Sequence, residues 1–86
     1  MLPDLPPAIY DHAYGGTLVV DMVAPHETHK KCGGGRAGFF THACAFTTAD
    51  GKHCRIVFPE DSGVYARRFI ENLWRHEIGH CNGWRH

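Results

Sequence analysis

Eleven consecutive residues, His76-Glu77-Ile78-Gly79-His80-Cys81-Asn82-Gly83-Trp84-Arg85-His86, hold three imidazoles, a carboxylate and two glycines at positions that could surround one metal ion. On a helix, side chains four residues apart project from one face a turn apart, so His76 and His80 can reach a common cation. Glu77 lies beside them. A glycine takes up the left-handed conformation that ends a helix without steric cost, so Gly83 lets the chain double back and bring His86 in as a third ligand. Three neutral imidazoles leave one position of tetrahedral Zn2+ open, which is the arrangement of a catalytic rather than a structural site. Water in that position has its pKa drawn down toward about 7, and the neighbouring Glu77 is the group to accept its proton as general base. The chemistry expected is attack of the resulting hydroxide on a carbonyl. Glutamine at position 77 is expected to keep the metal and lose turnover.

The same five positions, His76, Glu77, His80, Gly83 and His86, resemble the HExxHxxGxxH motif of the metzincin clan of zinc metallopeptidases, a likeness confined to these eleven residues. The resemblance implies zinc ligation by His76, His80 and His86, a general-base role for Glu77, and a peptide or protein substrate. Metzincins continue into a subdomain with a methionine turn beneath the zinc, whereas the only methionines here, Met1 and Met22, precede the motif. What carries over is metal binding and the base, in a minimal zincin-like domain. A substrate pocket does not carry over. The rival expectation is a non-catalytic, zinc-stabilised domain that binds a partner protein.

Other chemistry-bearing residues compete less well. Gly33, Gly35 and Gly38 match a dinucleotide fingerprint, but that motif needs a following helix and a strand pattern follows instead. His26, His29 and Cys32 stand three apart and form a second conceivable metal cluster, against which a solvated loop is the stronger reading. Tyr10, Tyr14, His42, Tyr65 and Arg85 are candidates to stabilise a developing oxyanion, with nothing to choose among them. Cys32, Cys44, Cys54 and Cys81 contain no CxxC pair, so up to two disulfides are expected, with three connectivities open. Cys81 points about 100° away from His80 on a helix, which favours a disulfide to a strand over zinc ligation.

The elements that must position the motif follow from pattern and turn chemistry. Residues 1–16 are rich in proline and glycine and read as an extended arm whose Leu2, Leu5, Ile9 and Tyr10 pack on the domain. Thr17–Val23 is a β-branched run and the first strand. Residues 25–38 read as a surface loop. Phe39–Thr47 and His53–Phe58 flank Thr48-Ala49-Asp50-Gly51-Lys52, whose Asp-Gly pair marks a hairpin. After Pro59, a cap at Asp61 or Ser62 is expected to start a long helix running to Cys81. Along it Ala66, Phe69 and Leu73 lead in spacing to His76 and His80, with Ile70, Trp74, Ile78 and Cys81 beside them. Arg67, Arg68, Glu71 and Arg75 occupy the remaining face and are expected to be solvated. The fold class expected is α+β, a small zincin-like domain with three or more mainly antiparallel strands packed on one C-terminal helix.

With 86 residues the chain is a single domain, residues 1–86, and too small to hide most of its surface, so metal or disulfide staples are expected to support the core. Nine acidic and nine basic residues cancel, which removes the electrostatic footprint of a nucleic-acid binder or an anionic-membrane binder. No apolar run reaches eighteen residues, so no membrane span is expected. The four cysteines lean the localisation toward a secreted or periplasmic compartment. Nothing in the pattern sets an oligomeric state.

Overall fold

In a computed structural model that describes residues 2–34 and 41–86, the β-branched runs form the two long strands, β1 (Thr17–Val23) and β3 (His53–Pro59). Between them lie the short helix α1 (Thr28–Lys31) and the strand β2 (Cys44–Thr47), and the helix α2 (Arg67–Cys81) closes the chain. The protein is α+β, a three-stranded mixed sheet with a C-terminal helix. Residues 41–43 of the expected second strand are not strand, and its first two residues, Phe39 and Phe40, lie outside the described residues, as do Gly35 and Gly38 of the glycine fingerprint.

The strand order is β1-β3-β2, and this corrects the expectation of a mainly antiparallel sheet. β1 pairs with β3 in parallel over seven residues, from Thr17 opposite His53 to Val23 opposite Pro59, while β2 pairs with β3 antiparallel over four. The chain from Val23 to His53 is long enough for the crossover a parallel pair requires. β3 is thus central, and four consecutive residues from Ile56 to Pro59 are buried, the near-continuous apolar pattern of a strand covered on both faces.

The hairpin forms as the Asp-Gly signal predicts. Gly51 takes a φ of +73°, and the Asp50 carboxylate accepts hydrogen bonds from the Thr48 hydroxyl at 2.6 Å and the Lys52 amide at 2.9 Å. α2 begins later than expected. Gly63 at φ +79° breaks the chain between Ser62 and Val64, and the N-cap is Ala66, with no side-chain cap. Tyr65 stacks on Phe69 with ring centroids 4.8 Å apart and fixes the helix entry in place of a cap.

The core lies between the sheet and α2, where Cys54, Ile56 and Phe58 meet Leu73, Ile78 and Cys81, with Ala43 beside them. Two disulfides reinforce it. Cys54–Cys81 sews the central strand to the last turn of α2, and Cys32–Cys44 joins the end of α1 to the start of β2. Both are consistent with an oxidising compartment. Among the described residues no helix is long and apolar enough to cross a membrane. The arm departs from expectation, since Leu2, Leu5 and Ile9 are exposed, Ile9 by 74%. Its backbone rather than its leucines attaches it, because Asn82 Nδ2 donates to the carbonyls of Tyr10 at 2.9 Å and His12 at 2.7 Å.

Candidate metal centre

Helical spacing brings His76 and His80 together with their Nε2 atoms 3.2 Å apart. α2 then ends in a paired-bond C-cap: the Gly83 amide donates to the His80 carbonyl and the Trp84 amide to the Gly79 carbonyl, both at 3.0 Å, with Gly83 at φ +105°. That reversal returns the tail over the helix, and His86 Nε2 arrives 3.1 Å from His80 Nε2 and 3.4 Å from His76 Nε2. Four nitrogens at about 2.0–2.1 Å from zinc in a tetrahedron stand about 3.3 Å from one another. The 3.1–3.4 Å spacings of the three Nε2 atoms are compatible with that triangle, and the three histidines could hold a metal ion.

The protonation pattern fits as well. His76 Nδ1 lies 2.6 Å from the Asp4 carbonyl and His80 Nδ1 lies 2.7 Å from the Trp84 carbonyl. A carbonyl only accepts, so each Nδ1 carries a proton toward its carbonyl, and Nε2 is the atom left in each ring to offer a lone pair to a metal. At 3.2 Å the two Nε2 atoms can share a proton or, with both lone pairs free, a cation. Burial lowers the pKa of His80, which keeps its ring neutral and available as a ligand. Trp84 braces the group: its indole stacks on His80 at 4.8 Å and meets His76 edge-on at 4.9 Å.

Glu77 is 4% exposed, and burial alone pushes its pKa up to about 7. It borders the same groove as the three histidines, a trough of about 1230 Å³ walled by β2, the hairpin turn and the tail, with Tyr14, Thr47, Lys52 and Arg85 on its sides. From the other flank a smaller, mostly apolar hollow of about 350 Å³ reaches Glu77 and His76 past His42, Ala43 and Phe69.

The remaining sequence candidates sort by position. Tyr14 and Arg85 line the trough, but the Tyr14 hydroxyl already donates to the Gly51 carbonyl at 2.6 Å. His42 pairs with the Tyr65 hydroxyl at 3.1 Å beside the smaller hollow, and Tyr10 lies under Gly83. The second metal cluster does not assemble: Cys32 is in a disulfide and His29 Nδ1 accepts from the Thr41 amide at 3.0 Å. Arg75, expected to be solvated, is an ion-pair partner of Asp11 in the arm. Sequence reasoning missed Asp4, because a backbone carbonyl leaves no mark in residue type.

Fold and site together define a small disulfide-stapled α+β domain whose last helix turn and tail build a three-histidine centre. No family model, no curated protein and no solved structure matches the chain.

Proposed function

We propose that this chain is a zinc-dependent metallopeptidase, with His76, His80 and His86 as ligands and Glu77 as general base. The observation that carries the reading is the convergence of three Nε2 atoms at 3.1–3.4 Å with Glu77 bordering the same open trough. Bound zinc supplies a Lewis acid and a water acidic enough to lose its proton near neutrality. Glu77 takes that proton and returns it to the departing amine. β2 is an edge strand among the described residues and walls the trough, so its free backbone groups can align an extended peptide as an added strand.

The test is zinc content measured beside turnover. The expected result is one zinc per chain, cleavage of unfolded casein or a peptide library, and loss of at least a hundredfold in rate for Glu77→Gln at unchanged zinc content. Zinc-loaded protein that cleaves neither substrate overturns the hydrolase and leaves a zinc-stabilised protein-binding domain. That second reading draws on the tail, which a metal would tie back to the helix through His86.

A further inference from the structure

The N-terminal arm runs along α2 and touches it at residues no more than a turn from a ligand. His76 Nδ1–H donates to the Asp4 carbonyl at 2.6 Å. Two residues on, Pro6 is buried against Gly79, so close that a methyl group at position 79 would stand 2.6 Å from its Cβ and 2.9 Å from its Cγ. Asn82 holds the arm's carbonyls at Tyr10 and His12, and an Arg75 N–H donates to Asp11 at 3.1 Å.

Gly79 is the informative residue. It lies inside α2 with no left-handed backbone to demand glycine. Glycine in a helix interior costs about 1 kcal/mol relative to alanine. What requires it is the proline ring, which could not otherwise approach the helix.

We propose that residues 4–6 are a positioning element of the metal centre: the Asp4 carbonyl holds His76 with Nε2 turned toward the cation, and Pro6, seated on Gly79, sets where that carbonyl stands. This rests on the metal centre proposed above. A carbonyl behind a ligand imidazole selects the tautomer, fixes the ring's direction and raises the basicity of the coordinating nitrogen. Loss of such a partner lowers metal affinity by about 10–100-fold. His80 has its equivalent in the Trp84 carbonyl, supplied by the helix's own C-cap; His76 has no local carbonyl in that role and takes one from 72 residues away.

The experiment compares Zn2+ affinity, by competition with a chelator, in the full chain and in Gly79→Ala. It adds the imidazole nitrogen NMR spectrum of both. The new methyl must push Pro6 and the arm aside while favouring the helix. The expected result is retained helix content, zinc affinity down by about tenfold or more, and loss of the His76 Nδ1–H signature with that of His80 unchanged. Zinc bound as tightly by the variant overturns the proposal, as does a spectrum in which His80 changes and His76 does not. That second result would trace the loss to Trp84, whose Cε3 is 3.2 Å from the new methyl. Should Gly79→Ala not fold, Pro6→Gly takes the ring off Gly79 without adding atoms to the helix. Unchanged zinc affinity there overturns the proposal, and a severalfold loss with the His76 signature gone supports it. A parent chain that takes up no zinc removes the centre itself, and the arm's role falls with it; a parent that binds zinc as tightly as its variants removes only the arm's role.

Discussion

Glu77 is a carboxyl group held out of water, with burial alone setting its pKa near 7 against an ordinary value of 4.5. Its folded pKa is raised, so its contribution to stability is complete below about pH 4.5 and is lost as pH rises through about 7. Each unit is worth 1.36 kcal/mol, and the whole effect is at most about 3 kcal/mol. The lowered pKa values of His42 and His80 act with the opposite sign over the same range, so the expectation is differential: in chelator-treated protein the urea midpoint of the parent chain, measured against that of Glu77→Gln, is expected to fall from pH 5 to pH 8. A difference between parent and variant that stays level over this range would contradict the burial of Glu77. Zinc nearby favours the carboxylate, so loading the metal should shrink the slope. His76 and Glu77 are sequence neighbours with divided duties, because the helix turns one toward the cluster and buries the other.

At the scale of elements, the reversal after α2 decides whether the tail meets the helix. Gly83 sits at φ +105°, where a Cβ costs roughly 1–2 kcal/mol, so Gly83→Ala should lower stability by about that much. Because the reversal also aims His86, zinc affinity should fall by more than the stability change accounts for, which titration and denaturation on the same samples would separate. The Cys54–Cys81 disulfide fixes the same turn from below. It closes a loop of 27 residues, so the Cys54→Ala and Cys81→Ala double variant is expected to lose about 3–4 kcal/mol in urea denaturation. The arm supplies the third restraint, through backbone carbonyls and Pro6 rather than through its exposed leucines.

At the scale of the molecule, 86 residues leave a core of few side chains, and among the described residues Ile56 is the largest that is wholly buried. Such a domain gains much from any ligand that binds only its folded form. At a hundred times the dissociation constant, zinc should add about 2.7 kcal/mol, which for a domain this size raises Tm by on the order of 10–20 °C. The shift should vanish in His86→Ala, and a thermal scan with and without zinc would show it. A metal held by the three histidines would also close the molecule on itself, since they come from the last two turns of α2 and from the tail.

Periodicity and turn chemistry act over a few residues, and whatever rests on them was legible in the chain before folding. The four-residue spacing of His76 and His80, the left-handed Gly83 that delivers His86, and the Asp50-Gly51 turn all have local causes, and all appear where the residues place them. The start of α2 was misread because Asp61 and Ser62 are good caps in isolation, while Gly63 and the Tyr65–Phe69 stack settle the entry at Ala66. Strand order, the parallel pairing of β1 with β3, the choice among three disulfide connectivities and the carbonyl behind His76 join residues from 12 to 72 positions apart. Contacts at that range are chosen by which surfaces can be buried together. No window of sequence contains that competition, so the chain alone marked the three histidines that come together, and what holds them in place could be found only in the fold.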